Sequence, residues 1–416
     1  MKPNYLLSAV ILITLVFTSG CTTSADTPPN KVIGDLKFQT APALADSITL
    51  GGKGGKIIKV TNLQPSGKGS LKEALEQSFP RTIVFDVSGV IDLQGKSLKI
   101  NDPFVTIDGA SSPSPGITII GGGIRLQSHD IRIEHLKIRP GDLGEAPNSG
   151  RSIDAIATYP AYNLVIDHCS LSWGTDENIS ASGKRFSGET PKEWQENTSH
   201  NIMFSNNIIS EGLLNSTHSK GSHSRGMLIH DNVRDVYIFR NLFTSNNKRN
   251  PVFKGGTKGS VINNFVYNPG YWGVHYALKA KEWADNEYIM GEIDLIGNVM
   301  KYGPSTRQEL SLFSLGGEGD LSIYENDNLI DTSSAPPPLL SKYKDKTIAD
   351  FRYSKSNHQP LDGLKIVKSK DLFLSLQKNV GARPWDRDLI DIRILKEASS
   401  RTGSIIDSQT EVGGYP

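Results

Sequence analysis

What most constrains the fold of this chain is a short apolar motif that recurs at uneven intervals. Val105-Thr-Ile107, Ile131-Arg-Ile133, Leu164-Val-Ile166 and Ile202-Met-Phe204 share one form, apolar-x-apolar followed by polar residues. Val236-Tyr-Ile238, Val261-Ile262, Ile293-Asp-Leu295 and Leu321-Ser-Ile323 continue it. Side chains within such runs alternate between two faces, as half-buried strands require. Gly, Asn, Asp and Ser punctuate the runs, and helical periodicity is poor from Gly51 to roughly Ile330. The spacing drifts between roughly 24 and 38 residues, a range that signals stacked repeats. Propeller blades need a near-constant length. A parallel β-helix tolerates uneven coils, because each coil touches only its neighbours and loops bulge outward at the corners.

A second pattern agrees. Asn207, Asn241 and Asn298 each fall three residues after the equivalent apolar residue of their runs. Stacked side-chain amides at a bend would hydrogen-bond from coil to coil. A β-sandwich with unrelated Asn-rich turns is the competing arrangement. One segment reads as a helix: Ser70 is the N-cap, Glu73 stands three places on, and Leu71 to Glu76 favours helix. It is expected to cap the open end of the solenoid. Beyond Asp331 the run Ser333-Ser-Ala-Pro336-Pro-Pro338 is a stiff connector, and amphipathic material from Thr347 to Arg401 is expected to fold back on the solenoid. The domain boundaries expected are therefore a leader over 1–20, a tether over 21–46, a β-helix over 47–330 and a packed C-terminal extension over 331–416.

The N-terminus has the order of an export signal: Lys2, an apolar run from Tyr5 to Phe17, then Thr18-Ser-Gly-Cys21. The run is shorter than the ~20 apolar residues of a spanning helix. It resembles a bacterial lipobox, with Thr18 in place of the usual Leu, which predicts a lipid on Cys21 and a cell-envelope or secreted protein. Ordinary cleavage without a lipid is the alternative. Cys169 is then the one remaining thiol, so no internal disulfide forms, and its apolar strand setting reads as core. Formal net charge is +1, so a polyanionic partner has to be held by a local cluster. Nothing points to nucleic acid, and a monomer is expected.

Such a cluster lies between Asp154 and Lys254. It holds Asp154-Ala-Ile, Ser172-Trp-Gly-Thr-Asp176-Glu177, Ile209-Ser-Glu211, His218-Ser-Lys220-Gly-Ser-His223 and Arg249-Asn-Pro251-Val-Phe-Lys254. Residues one coil apart in a solenoid lie about one strand spacing apart, ~4.8 Å, so these groups can share one patch. Acids lead the cluster and bases end it. Two histidines here suggest a zinc pair, but no third ligand falls at the usual spacing; polar groups at a coil corner are the plainer reading of His218 and His223.

These motifs resemble those of the pectate and pectin lyases, a family built on an all-β, right-handed, single-stranded parallel β-helix. The likeness extends from Gly51-Gly-Lys-Gly-Gly55, Val60-Thr-Asn62 and Gly69-Ser-Leu-Lys-Glu-Ala74, through Arg81-Thr-Ile-Val-Phe-Asp86-Val-Ser-Gly89, to the Arg249 motif. It resumes in Val412-Gly-Gly-Tyr-Pro416. The resemblance implies that Arg249 is the catalytic arginine and Lys220 a substrate-binding lysine. It places Lys254 where a second arginine is usual; apart from the resemblance, His218 and His223 are expected with Lys220 and Lys254 among the substrate-binding residues. Asp154 and Asp176 match calcium ligands, whereas Ser152 and Ser180 stand at two usual aspartates. Glu177 and Glu211 are candidates to compensate, Glu177 less favoured because strand alternation points Asp176 to the groove.

The implied reaction is β-elimination on polygalacturonate. Ca²⁺ and the lysines neutralise the uronate carboxylate, and Arg249 takes the C5 proton. Guanidinium normally stays protonated, so the role needs crowded cations and alkaline conditions. Methyl-esterified pectin or another uronate polymer is the alternative substrate; a non-catalytic surface glycan-binding β-helix is the alternative class. A glycoside hydrolase would need a close group of catalytic carboxylates, whereas here bases end the acidic cluster.

Overall fold

Each apolar-x-apolar run forms part of a strand whose apolar residues point inward and stack on the same position of the next coil. In the computed structural model, which describes Met1 and residues 42–343 and 347–416, all three sheets are parallel. Sheet one has 11 strands, and sheets two and three have nine each. A typical coil runs through His200–Ser205 in sheet one, Ile208–Ser210 in sheet two and Arg225–Ile229 in sheet three, then re-enters sheet one at Arg234–Phe239. The result is a right-handed parallel β-helix, the hand that parallel crossovers adopt.

All eight runs lie in sheet one. Val105, Ile131, Leu164, Ile202 and Val236 form one continuous column of register partners, each fully buried. Two runs enter displaced by two residues. Val261 pairs with Ile238, leaving Gly259 opposite Val236, and Leu321 pairs with Gly291. The period-2 alternation makes such a shift harmless, since the same face stays inward.

The asparagine column is longer than its sequence signal. Side-chain amides run Asn207 to Asn241 (2.9 Å), Asn241 to Asn264 (2.9 Å), Asn264 to Asn298 (3.2 Å) and Asn298 to Asn328 (3.0 Å). Asn264 and Asn328 escaped notice in the sequence because the runs before them both enter displaced by two residues. Cys169 ends the column: its backbone N–H donates to Asn207 Oδ1 (2.7 Å) and its Sγ lies 3.7 Å from the Ile133 carbonyl. Burial pushes its thiol well above the ordinary range, as expected of a core residue.

The solenoid does not stop at Ile330. Leu340–Lys342 joins sheet three and Phe351–Tyr353 joins sheet one, so the proline run 336–338 is a corner inside a further coil. At the other end, the tether expected up to Asp46 is already helical from Pro42–Ile48, with Ala45 and Ile48 buried against the outer face of sheet one. Cys21, with its expected lipid, lies outside the described residues. Leu71–Leu75 is the capping helix, with Ser70 Oγ accepting from Glu73 N–H (3.2 Å) and Leu71, Ala74 and Leu75 in the main core.

Two outer faces are covered, and this positions the site. The N-terminal helix with Leu361 and Leu364 lies over sheet one. Helices Leu372–Leu376 and Leu389–Ser400 bury Leu372, Leu376, Ile390 and Ile394 against Ile208, Leu242, Phe265 and Val299 of sheet two. The buried Arg139 bonds Asp388 (2.7 Å) and Asp391 (2.8 Å), clamping the second helix to the solenoid.

Candidate active site

Sheet three carries the acids and bases together. Glu177 opens the strand Glu177–Ala181 and pairs in register with Arg225, which bridges onward to Lys248. Asp154 lies just ahead of Ile156–Thr158, the strand that pairs with Glu177–Ala181. Carboxylate oxygens of Asp154, Asp176 and Glu177 fall within 4.8 Å of one another. Glu177 is thus a full member of the cluster, because the chain turns between Asp176 and Glu177 and strict alternation does not apply there.

The two serines at positions of usual aspartates support this cluster. Ser152 Oγ donates to Asp176 Oδ2 (2.8 Å) and Ser180 Oγ donates to Asp154 Oδ2 (2.6 Å). Burial, then the charges of Glu177 and Asp176, push the Asp154 carboxyl well above its ordinary range. Burial raises Glu177 too, with Asp176 adding and Arg249 and Arg225 opposing. For Asp176 burial is outweighed by the Ser152 hydroxyl, His218, Arg225 and His223, so this carboxyl lies below its usual value. Three crowded carboxylates, two of them held back from ionising, make a set of hard oxygen donors that fits Ca²⁺.

His218 and His223 stack with centroids 3.4 Å apart, their Nε2 atoms 3.4 and 3.5 Å from Asp176. The fold thus supplies the third group that the sequence spacing lacked. Zinc still fits poorly, because the Lys220 backbone N–H donates to His218 Nδ1 (3.0 Å), which places the proton of the neutral ring on Nε2, facing Asp176. His218 is therefore a donor to the carboxylate. Lys220 is exposed and makes no salt bridge among the described residues.

Arg249 reaches back across the sheet to form an ion pair with Glu177. Arg225 sits beside both, 3.5 Å from Asp176 and 3.6 Å from Glu177. Sequence reasoning missed Arg225: it heads an ordinary strand, and only the pairing of Arg225 with Glu177 reveals it. Lys254 is nearly buried and bonds Glu282 (2.5 Å), a residue of the helix Ala280–Trp283 with no sequence mark of its own. Burial lowers the Lys254 ammonium below its ordinary range, against the pull of Asp231 and Glu282. Arg225, Lys248, Arg249, Lys254 and Lys279 line one cleft of about 210 Å³, and the acids line a neighbouring one of about 370 Å³.

Glu211 is not part of this. It is buried at the bend after Ile208–Ser210, accepts from Trp173 Nε1 (2.9 Å) and takes both Arg393 Nη groups (2.6 and 2.9 Å). A residue at that bend faces the C-terminal helix, so Glu211 anchors the tail and does not compensate for the lost aspartates.

The geometry can be set beside known proteins. No family model matches the chain. A probable pectate lyase C of Emericella nidulans is 31% identical over 382 residues, spanning 88% of this chain and 77% of that one. One from Aspergillus terreus is 36% identical over 270 residues, 65% of this chain and 55% of that one. Among solved structures, the cedar pollen allergen jun a 1 matches with a TM-score of 0.55 at 17% identity, over 81% of this chain and 91% of that one. A Bacillus subtilis pectate lyase variant matches with a TM-score of 0.51 at 12% identity, over 80% and 94%. The structural matches share the fold, and the extent and identity of the Emericella match carry the rest: this chain belongs to the pectate lyase family.

Proposed function

We propose that the protein cleaves polygalacturonate by β-elimination on the open face of sheet three. The carrying observation is the juxtaposition there of three carboxylates with Arg225 and Arg249, in a chain of this family. Arg249 accepts the C5 proton of a uronate unit. The C5–H electron pair becomes the C4–C5 double bond, and the C4–O4 bond breaks with its electrons leaving on O4. Developing charge on the uronate carboxylate is met by Arg225, Lys248 and Lys254, which already face the cleft. Lys220, exposed and unpaired, binds the carboxylate of the substrate, and His218 and His223 keep Asp176 in place.

Asp154, Asp176 and Glu177 would hold Ca²⁺, which when bound supplies Lewis-acid polarisation of the substrate carboxylate. Glu177 would then be shared between the ion and Arg249, its ion-pair partner. The crowd of cations favours free over methyl-esterified carboxylates. The protein is exported, with a lipid on Cys21 holding it to the envelope.

The test is ultraviolet absorbance of an unsaturated uronate product during incubation with polygalacturonate. Product should appear, disappear with chelator and return with added Ca²⁺. Full activity after dialysis against chelator would remove the metal from the proposal, and no product from any uronate polymer would overturn the lyase reading.

A further inference from the structure

A second cleft, of about 370 Å³, adjoins the cationic one and shares Trp272 and Tyr343 with it as a common wall. Arg307 projects into it. The Arg307 guanidinium lies 4.4 Å from the Trp272 ring centroid and 4.5 Å from that of Tyr271. Trp272 is stacked in turn on Tyr343 (4.1 Å, 19°). This guanidinium makes no ion pair or hydrogen bond among the described residues, and its Nε is buried without a partner. Arg139, Arg151 and Arg393 by contrast all close on carboxylates.

We propose that this cleft is a second anion site, at which Arg307 takes the carboxylate of a uronate unit further along the same polysaccharide chain. The proposal rests on the lyase reading and extends it to chain length. Aromatic faces hold the guanidinium in one orientation, so little freedom is lost when its fork meets a carboxylate. Lys342 lines the cleft but is paired with Asp350, which leaves Arg307 as the cation available there among the described residues. Glu309 also lines it, exposed at the rim, where solvent and salt screen its charge.

Register gives the reach. The strand of the Arg249 motif, Val252–Lys254, is followed in sheet three by Val274–Leu278, Phe313–Gly317 and Leu340–Lys342. Trp272 precedes the first of these and Tyr343 follows the last, so the second cleft lies one to three coils from Arg249. At ~4.8 Å per coil that is roughly 5–15 Å. A polymer fills both clefts, whereas a trimer, comparable in length to this separation, reaches the second one only when it is seated with its end towards Arg307.

The experiment compares Arg307→Gln and Arg307→Lys with the parent on polygalacturonate and on trigalacturonate, with thermal melting as a check on folding. On the polymer, kcat/KM of Arg307→Gln should fall by about tenfold, through KM with kcat kept, as loss of one charge-assisted contact predicts. Trimer kinetics should change clearly less than those of the polymer, and Arg307→Lys should recover part of the loss. Equal losses on both substrates, or none on the polymer, would overturn the proposal. Should Arg307→Gln not fold, Arg307→Lys carries the comparison, since lysine keeps the charge and loses the stacked fork. Retardation in a gel containing polygalacturonate separates the two levels. Less retardation of the variant together with an inactive parent would sink the lyase reading and keep the anion site; equal retardation would sink the site alone.

Discussion

At the scale of single residues, the site is a contest for Glu177. Arg249 and Arg225 both lie against it, while burial and Asp176 disfavour its charge. The proposed base is therefore held by an anion. Arg249→Lys tests the role. Lysine keeps a positive charge but loses the planar fork and its reach. If Arg249 takes the proton, kcat and kcat/KM should fall together by about a thousandfold, within the range general-base losses span, while substrate still binds. Lys220→Ala should instead raise KM, because its charge meets a carboxylate already present in the ground state. Near-normal turnover in Arg249→Lys would assign the proton to another group. Arg225 and Glu282 belong to the same scale, and neither carries a motif. They join the cluster only by virtue of what the coil stacking sets beside them.

Elements are joined here by columns of identical bends. His168, Asn206, Arg240 and Asn263 occupy successive bends between sheets one and two, all in the left-handed region with φ of 49°, 53°, 56° and 51°. The strained backbone is held by side-chain bonds at each level. Asp167 accepts from His168 Nδ1 (2.7 Å), Ser205 Oγ (2.5 Å) and Asn206 Nδ2 (2.9 Å). Burial alone would raise its pKa, but His168, Ser205 and Asn206 outweigh it and bring it down to about 2. A folded-state pKa below the unfolded value of ~3.9 means stability that is fully present above pH ~4 and lost as the pH falls towards 2. The size is on the order of 2 kcal/mol. Thermal melts of the parent should therefore drop between pH 4 and 2 more steeply than those of Asp167→Asn, which is less stable at neutral pH. Parallel melting curves for the two proteins would show that the bend does not depend on this charge.

On the scale of the whole molecule, coverage decides where chemistry happens. Sheets one and two lose their outer faces to the N-terminal helix and the C-terminal tail, and sheet three keeps the groove. Among the described residues no helix is long and apolar enough to cross a membrane. The proposed envelope attachment is through Cys21. Cys21→Ala should move the protein out of the membrane fraction, or block its maturation, with the melting temperature of the folded body unchanged. Correct processing and continued membrane association of that variant would rule the lipid out.

The sequence by itself determined the solenoid, because period-2 runs at uneven spacing suit stacked coils that can shed length into loops. Resemblance to the lyase motifs marked Arg249, Asp154 and Asp176, and fixed offsets within recognisable runs marked three of the five rungs from Asn207 to Asn328. Tertiary structure alone decided the rest. Arg225 meets Glu177 through a coil-to-coil register that no local pattern encodes. Glu211 turns to Arg393 because a chain bend, not its neighbours in sequence, sets its direction. The solenoid's end past Ile330 was hidden by prolines that close a corner and leave the coil intact. Local sequence fixes the shape of a coil through side-chain alternation; which residues face each other depends on loop lengths summed over whole coils, and that sum is settled only when the coils stack.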